Sequence, residues 1–595
     1  MGSSSDPAYE LVNQHDAYQE PEPADAPPPK QKFDRGRSRR TLKATVVILA
    51  ACLIVVAVFE IISNDAMDRF RKAMSDATGA EGDCPCRPSK VPQHFQTSPQ
   101  LWPGPTMTGQ PAFMAQTVAF DSSQTYVPNE PLMTAVPVPG MTPQNQSIFR
   151  MMGYLSPYFP SPGFGVDEHP LPPGAEIVQL HMLSRHGARY PTQGSHVEQL
   201  GRRLEDAAST FKASGRLEFL NDWKYELGAE ILVPKGRQEM YESGVLHSYM
   251  YSRLYDPNTK IIARTPTQDR MLKSAENFMA GFFGLEWTKN VTLEVIIEAE
   301  GFNNSLAGYF GCPNSGRDRS PFEASAKWKD IYLKDATERF SALIEGYEWT
   351  VEDTYSAQMM CPYETIAYGY SVFCDLFTYE EWEGFSYTID IEFAGSSGFQ
   401  SPTGRAVGIG YQQEVIARLK NQTLDYANSQ INVTLDNNTE TFPLNQSLYF
   451  DFSHDTNIVS ILTAFGLKQF SPFLDPTQHP GPHDFTVSHV TPFGSRLDIE
   501  IIRTPKPLSS DRSGYLDGGE TKYVHFILNQ RTLPLGVSLP ECDASRVDGW
   551  CEFETFVGVQ EKMSEVARYD YACYADLPTY KYGDISDGVP PSVAS

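Results

Sequence analysis

The chain has few basic residues for its length. Its 595 residues include 48 Lys and Arg against 74 Asp and Glu, so the formal net charge is −26 at pH 7. Residues 1–43 carry seven residues of each sign, and essentially all of the excess acidity therefore lies beyond them. An acidic protein repels polyanions, which argues against nucleic acid as a partner.

Two common ligand-binding patterns are also missing. No Gly-rich loop ends in Gly-Lys-Ser or Gly-Lys-Thr, as a phosphate loop of that type requires. His and Asp residues do not cluster at the spacing of metal ligands. His479 and His483 are four residues apart, but the Pro-rich stretch 477–483 predicts a loop and not a shared helix face. We therefore predict no metal or other cofactor.

One long apolar run is present near the N-terminus. Residues 44–62 contain only Thr45 and Glu60 as polar side chains, and as a helix they span roughly 28 Å, close to the hydrocarbon thickness of a bilayer. Seven basic residues lie in the 15 positions before the run and three in the 15 after it, which places the N-terminus in the cytosol. We interpret the run as a type II signal anchor, because its lead-in is too long for a cleaved signal peptide.

The anchor divides the chain into regions. We predict a disordered cytosolic tail at 1–43 and a Pro-rich juxtamembrane stalk at 63–144. Every Asn-x-Ser/Thr sequon follows the anchor, which indicates a lumenal or extracellular domain. The sequon asparagines are Asn145, Asn290, Asn303, Asn421, Asn432, Asn437 and Asn445. Which membrane holds the anchor, and whether the stalk is cleaved, stays open.

Eight of the nine cysteines also follow the anchor, and only Cys52 lies within it. This distribution agrees with an oxidising compartment. Eight cysteines allow 105 pairings, so their spacing does not fix the disulfides.

The region from residue 145 onward alternates strand and helix patterns. Strand-like runs at 176–183, 259–264, 293–298, 447–453 and 497–503 are separated by segments with helical spacing of apolar residues. Hydrophobic residues make up 41% of the chain, enough for a sizeable core. This alternation predicts an α/β fold with a mainly parallel sheet flanked by helices.

The most informative motif follows the first strand-like run, where residues 185–189 read Arg-His-Gly-Ala-Arg. His186 offers an imidazole that can accept a phosphoryl group. Arg185 and Arg189 offer planar cations matched to phosphate oxygens, and Gly187 permits close approach of a ligand to the backbone. A motif of five residues could also be an exposed basic turn without chemistry.

Two further strand-to-helix junctions carry residues of the same kind. His454 and Asp455 follow the run 447–453, at a helix start where backbone N–H groups favour anions. Taken alone, Asp455 is more typical of a helix N-cap than of a catalyst. Arg264 ends the run 259–264, before a helical pattern that includes Leu272 and Ala275. Because ligands bind at the carboxyl ends of strands in such sheets, we expect the three junctions to meet in one pocket.

Together these motifs resemble the histidine acid phosphatase family, in its fungal phytase-like branch. The resemblance runs from about residue 148 to 573. It rests on Leu-Ser-Pro-Tyr-Phe at 155–159, Leu-Ser-Arg-His-Gly-Ala-Arg-Tyr-Pro-Thr at 183–192, Arg264 with Arg270 and Ser-Ala-Glu-Asn-Phe at 274–278, and Asp-Phe-Ser-His-Asp at 451–455. The resemblance implies a phosphoglycerate-mutase-like fold for residues 145–595, with a smaller, mostly α-helical cap within about 196–255 and 305–395.

The family's chemistry implies a role for each matched residue. His186 would be the nucleophile, and Arg185, Arg189, Arg264 and His454 would bind the phosphate. Asp455 would protonate the leaving oxygen and then help to activate water. No metal is implied, since arginines can supply the charge stabilisation that phosphoryl transfer demands.

The same resemblance implies three disulfides, Cys312–Cys573, Cys361–Cys374 and Cys542–Cys551. The family often has a further bridge that begins just before the first strand, but no cysteine stands there in this chain. Cys84 and Cys86 are left over. A bridge across one residue is strained, so an intermolecular link and free thiols are the alternatives.

The resemblance predicts an acid phosphomonoesterase that acts on small phosphate monoesters, and the apolar run at 44–62 predicts that this enzyme is anchored in a membrane. Phytate and a broad range of phosphomonoesters are both open as substrates, and an excess of Lys around the pocket would favour phytate. Arginines and a helix N-terminus lower a carboxyl pKa, whereas a general acid needs a higher one. Because bound phosphate can raise the pKa of Asp455, we predict an acidic activity optimum.

Two other functions are compatible with the same scaffold. One is a catalytically inactive, glycosylated cell-surface binding protein, although the complete set of His, Asp and Arg residues argues against it. The other is a mutase, which an oxidising lumenal compartment makes less suitable. The oligomeric state is not indicated by the sequence.

Overall fold

The computed structural model describes residues 136–142, 144–426 and 428–591. The strands within these ranges are β1 (Glu176–Arg185), β2 (Lys212–Ala213), β3 (Ile261–Pro266), β4 (Val291–Ile296), β5 (Ile344–Glu345), β6 (Leu448–Ser453), β7 (Arg496–Thr504), β8 (Thr521–Leu528), β9 (Arg531–Leu533) and β10 (Cys551–Glu552).

The α-helices of the same ranges include three before β4, namely α1 (His196–Ala207), α2 (Pro234–Tyr251) and α3 (Asp269–Phe283). Between β4 and β6 lie α4 (Ser320–Tyr332), α5 (Lys334–Ser341), α6 (Val351–Tyr368), α7 (Tyr379–Ser396), α8 (Gly404–Leu419) and α9 (Val433–Asp436). The remaining helices are α10 (Asp455–Ala464), α11 (Val487–Val490), α12 (Leu535–Ser538), α13 (Phe553–Gln560), α14 (Met563–Ala567) and α15 (Tyr569–Tyr574).

A mixed central sheet has the strand order β10-β8-β7-β1-β6-β3-β4, with β9 paired to β8. The strands β1, β6, β3 and β4 are mutually parallel, and β7 joins them antiparallel to β1. The predicted α/β class with a mainly parallel sheet is therefore confirmed. The antiparallel edge formed by β7, β8, β9 and β10 was not distinguished from the sequence, because antiparallel and parallel strands share the same apolar patterning when both faces are covered.

Each face of the sheet is covered by helices, because apolar side chains of the strands alternate between two faces. Leu180 and Met182 of β1 pack in one cluster with Met240 of α2 and Phe278 of α3. The opposite face packs in a second cluster that includes Ile461 of α10. These two helical layers leave the carboxyl ends of the parallel strands open to loops.

The helices α4 to α7 form a cap whose large apolar side chains, such as Trp328 and Trp382, continue the second cluster. Helix α1 joins this cap through an ion pair of Arg203 with Asp353 of α6. Helix α2 does not join it. Although it falls within the predicted cap range of about 196–255, it lies on the sheet, where His247 pairs with Asp498 of β7. Met240 of α2 packs against Leu180 and Met182 of β1. The prediction that the cap includes this helix is therefore corrected.

The three disulfides expected from the family resemblance are confirmed. Cys312–Cys573, Cys361–Cys374 and Cys542–Cys551 are bonded. The predicted tail, anchor and most of the stalk, together with Cys84 and Cys86, lie outside the described residues. Within the described ranges, no helix combines the length and the apolarity that a membrane span requires.

Candidate active site

The site is built where β1 and β6 end side by side. The two strands are parallel, and their register pairs Arg185 with Ser453. The residues that follow each strand are therefore neighbours in space. The ring centroids of His186 and His454 lie 5.8 Å apart in an edge-to-face arrangement. Helix α10 begins at Asp455, directly after His454, so its N-terminus also faces this end of the sheet.

The His186 ring is held in one tautomer. Its Nδ1 lies 2.9 Å from the carbonyl oxygen of Gly187, which can only accept a hydrogen bond. Nδ1 therefore carries the proton, and Nε2 keeps its lone pair. Burial, reinforced by the positive charges of Arg185 and Arg270, lowers the pKa of His186 well below its usual value. The imidazole is thus neutral and nucleophilic in acidic solution.

Arg185 links the nucleophile loop to the acid on α10. Its Nη2 donates to Oδ2 of Asp455 at 2.5 Å, and its Nη1 donates to the carbonyl oxygens of Tyr154 and Thr491. The guanidinium also stacks on the Phe493 ring, with 4.5 Å from Cζ to the ring centroid. Arg185 is therefore rigidly placed, and it orients the carboxyl group.

Asp455 is ionised in the protein as it stands. Burial by itself raises the pKa of its carboxyl group, but the guanidinium groups of Arg185 and Arg189 outweigh burial and hold the pKa below its usual value. The backbone N–H of Thr456 donates to Oδ1 at 2.7 Å and acts in the same direction. The N-cap of α10 is His454 and not Asp455, so the carboxyl group is not used as a cap.

Two further arginines bring unused donors to the same region. Arg189 is buried, and Arg270 of α3 is buried with its Nη1 on Glu230 at 2.7 Å. Burial, reinforced by the positive charge of Arg189, lowers the pKa of Arg270. The Nε atoms of both have no hydrogen-bond partner among the described residues. Buried, unpaired guanidinium donors suit an anion.

Arg264 does not reach this site, which corrects the prediction that it binds phosphate. Strand β3 continues to Pro266, so Arg264 lies inside the strand and not at its end. Its side chain faces α8, where it donates to Asp451 at 2.7 Å and to Glu414 at 2.6 Å. These carboxylates neutralise the guanidinium. The residue is a structural link between β3, β6 and α8.

Arg270, and not Arg264, lies close enough to His186 for its charge to act on the imidazole. Strand β3 ends at Pro266, and Arg270 is the second residue of α3, the helix that follows. A signal for it was present, because Arg270 belongs to the quoted motif and precedes Ser274, whose hydroxyl accepts from the backbone N–H of Gly187 at 3.1 Å. The spacing of four places both side chains on one face of α3.

Substitution of the two arginines should separate their roles. Arg270→Ala is expected to lower kcat/KM by about 10²–10³, the usual effect of losing one charged donor to a transition state, with little change in melting temperature. Arg264→Ala should instead destabilise the fold by about 3–5 kcal/mol, because it leaves buried carboxylates unpaired. Steady-state kinetics and thermal melting of both variants check this. A larger activity loss in folded Arg264→Ala than in Arg270→Ala would contradict the correction.

Gly187 has a packing role that the sequence did not reveal. A Cβ at this position would lie 2.3 Å from the carbonyl oxygen of Gly236 in α2. The glycine therefore lets the loop after β1 press on α2. Nearby, the Glu239 carboxylate of α2 accepts from the backbone N–H of Ala188 at 3.0 Å and fixes the loop.

His479 and His483 lie in a loop, as the sequence predicted, and His483 pairs with Asp390 of α7 at 3.0 Å. Over the whole described part of the chain, no group of three or more His, Cys, Asp or Glu residues is arranged to hold a metal ion.

The chain is similar to known phosphatases in sequence. A family model described as the histidine phosphatase superfamily (branch 2) matches residues 176–529. Phytase A of Arthroderma benhamiae is 31% identical over 421 residues, covering 69% of this chain and 88% of that protein. Phytase A of Emericella nidulans is 31% identical over 424 residues, covering 68% and 88%.

A solved structure supports the same fold. The phytase from D. castellii matches with a TM-score of 0.56 at 22% identity, covering 73% of this chain and 89% of that chain. At this identity the likeness concerns the fold.

Proposed function

Because this chain belongs to the histidine phosphatase superfamily (branch 2), we propose that it hydrolyses phosphate monoesters through a phosphohistidine formed on His186. The family assignment confirms the resemblance seen in the sequence, and it makes the chain a phosphatase of the phytase-like kind. The covalent mechanism is our proposal. The observation that carries it is the single tautomer of His186, whose free Nε2 lies at the same strand end as Asp455 and the arginines.

In this mechanism the bound phosphate is held by guanidinium groups and attacked by Nε2 of His186. The P–O bond to the leaving group breaks as the N–P bond forms, and Asp455 gives its proton to the departing oxygen. Its carboxylate then accepts a proton from the water that hydrolyses the phosphohistidine. Arg189 and Arg270 stabilise the charge on the equatorial oxygens.

Phytate is proposed as one substrate, since the most similar curated relatives described above are called Phytase A. The groups that act electrostatically on Arg189 are Tyr363, Glu230, Asp455 and Tyr154. The immediate surroundings thus include two tyrosines and two carboxylates besides arginine, a composition that also suits esters with a single phosphate.

The activity should be confined to acidic solution. Asp455 acts as a donor only when it is protonated, and its protonated fraction falls as pH rises through its pKa. His186 stays neutral down to low pH, because its pKa is lowered. We expect bound phosphate to raise the pKa of Asp455 in the enzyme–substrate complex, so kcat should peak below about pH 6. Phosphate release from p-nitrophenyl phosphate and phytate, measured from about pH 3 to 8, checks this. No release at any pH would favour the inactive binding protein, and a peak well above neutrality would contradict Asp455 as donor.

We further propose that the hydrolase domain faces a secretory or vacuolar lumen or the cell exterior, attached by the anchor predicted at 44–62. Three disulfides support an oxidising compartment. All seven sequon asparagines are at least partly exposed, which supports glycosylation. N-glycosidase treatment should lower the apparent mass, and protease added to sealed vesicles should spare the domain. Digestion of the domain from the cytosolic side would contradict this topology.

A further inference from the structure

A buried carboxylate behind the site contacts the second histidine. Glu298 follows β4 by two residues, and its side chain is fully buried, as is that of His454. Its Oε2 lies 3.0 Å from Nε2 of His454. Its Oε1 accepts a hydrogen bond from the Tyr309 hydroxyl at 2.9 Å. The chain Tyr309–Glu298–His454 therefore runs from the loop after β4 to the N-terminus of α10.

This contact fixes which nitrogen of His454 is protonated. A carboxylate only accepts, so Nε2 of His454 carries a proton. The other nitrogen, Nδ1, is buried and has no hydrogen-bond partner within the described part of the chain. If His454 is neutral, Nδ1 bears a lone pair and repels a phosphate oxygen. If His454 is an imidazolium, Nδ1–H is a donor, which a phosphate needs.

Glu298 favours the imidazolium because it is itself ionised. Burial alone raises the pKa of its carboxyl group, but His454 on α10, Arg270 on α3 and the Tyr309 hydroxyl together outweigh burial and lower it. The other titratable groups near His454 are the neutral ring of His186, 5.8 Å away, and the carboxylate of Asp455, the next residue. A negative charge at hydrogen-bond distance stabilises a cationic imidazole.

We propose that Glu298 is a positioning residue for phosphate binding, which holds His454 as an imidazolium so that its Nδ1–H donates to the substrate phosphate, with Tyr309 anchoring the carboxylate. The inference rests on the proposed function, since it assigns His454 a role toward the same phosphate. Glu298 does not touch the reacting atoms. Its influence passes through His454.

The Glu298→Gln substitution removes the negative charge and keeps the shape. We expect kcat/KM for p-nitrophenyl phosphate to fall about ten- to hundredfold, the range for loss of a buried charge-assisted hydrogen bond. Most of the loss should appear as a higher KM, because Glu298 acts on phosphate binding and does not touch the reacting atoms. An unchanged kcat/KM, or a loss confined to kcat, in the folded variant would overturn the proposal.

A double-mutant cycle tests whether the effect passes through His454. In the His454→Asn background, which lacks the imidazole, adding Glu298→Gln should cause no further loss of kcat/KM. Losses that multiply would overturn the proposal, because they would mean that Glu298 acts independently of His454.

Two other variants complete the test. Asp498→Asn breaks an equally buried His–carboxylate pair, His247–Asp498 at 3.0 Å, away from the site. It should lower the melting temperature without raising KM. If Glu298→Gln does not fold, Tyr309→Phe replaces it, and a loss of about two- to fivefold in kcat/KM is expected. An unchanged kcat/KM in Tyr309→Phe would then count against the proposal.

Two experimental outcomes distinguish a failure of the proposed function from a failure of the Glu298 role. If the full-length wild type releases no phosphate and forms no phosphohistidine, the proposed function falls, and the positioning role falls with it. If the wild type is active and the double-mutant cycle is multiplicative, only the role of Glu298 is overturned.

Discussion

Replacing His186 with alanine is expected to lower kcat by about four orders of magnitude or more, while the chain still folds. The loss is this large because removal of a nucleophile eliminates the covalent path and leaves only binding and charge stabilisation. Among the described residues the ring hydrogen-bonds to the adjacent Gly187 carbonyl, so its removal should cost the fold only about 1–2 kcal/mol. Phosphate release at acidic pH and thermal melting measure the two effects.

His181 provides a matched control for this substitution. It lies on the same strand β1, its ring is buried, and burial lowers its pKa to about 3, so it is also a neutral imidazole. It stacks on Tyr449 of β6, with ring centroids 4.6 Å apart. His181→Ala should therefore destabilise the chain yet keep its turnover. Comparable activity losses in folded His181→Ala and His186→Ala would contradict a nucleophilic role for His186.

Asp455→Asn should give the second-largest loss, about 10²–10⁴ in kcat, and the loss should depend on the leaving group. An amide has no acidic proton to give, so an alkyl phosphate such as glycerol 2-phosphate should suffer most. p-Nitrophenol leaves readily without protonation. For p-nitrophenyl phosphate, the rate of phosphoryl transfer to His186 should therefore fall less. Hydrolysis of the intermediate also needs the carboxylate, so a burst of p-nitrophenol should precede slow turnover.

The comparison of the two esters separates chemistry from structure. Arg185 loses its carboxylate partner in Asp455→Asn, and disturbed packing alone would lower both rates alike. Stopped-flow measurement of the burst and steady-state rates for both esters distinguishes these cases. Equal losses on both esters without a burst would show that Asp455 is not the proton donor.

The sequence predicted the main elements of the site because they follow two parallel strands. His186 follows β1 and Asp455 follows β6, and these strands are adjacent with matched register. An apolar run followed by a polar motif is visible in sequence, so the juxtaposition at the carboxyl end of the sheet could be expected. The three disulfides came from the family resemblance and not from their spacing.

The sequence-based predictions are wrong or incomplete for residues whose position depends on the length of a strand or on contacts between distant segments. Arg264 was misassigned because β3 continues for two residues beyond it, and a strand end is uncertain by that amount in sequence reasoning. Its true partners, Asp451 and Glu414, lie 187 and 150 residues away. Glu298 was missed because its contact with His454 spans 156 residues, and no local pattern marks it.

The boundary of the cap was misjudged for a related reason. Helix α2 shows apolar residues on several sides, such as Met240 and Leu246, and its sequence does not tell whether the cap or the sheet covers them. Only the pairing of His247 with Asp498 of β7 and the packing of Met240 against β1 place it on the sheet.

The most direct test of the account is to trap the phosphorylated enzyme. The full-length wild type is mixed with a labelled phosphate ester at acidic pH and quenched within milliseconds, and the labelled peptide is identified. We predict an acid-labile, alkali-stable adduct on His186 that is absent from His186→Ala and accumulates in Asp455→Asn. An active wild type that carries no such adduct, or carries the label on another residue, would contradict the account.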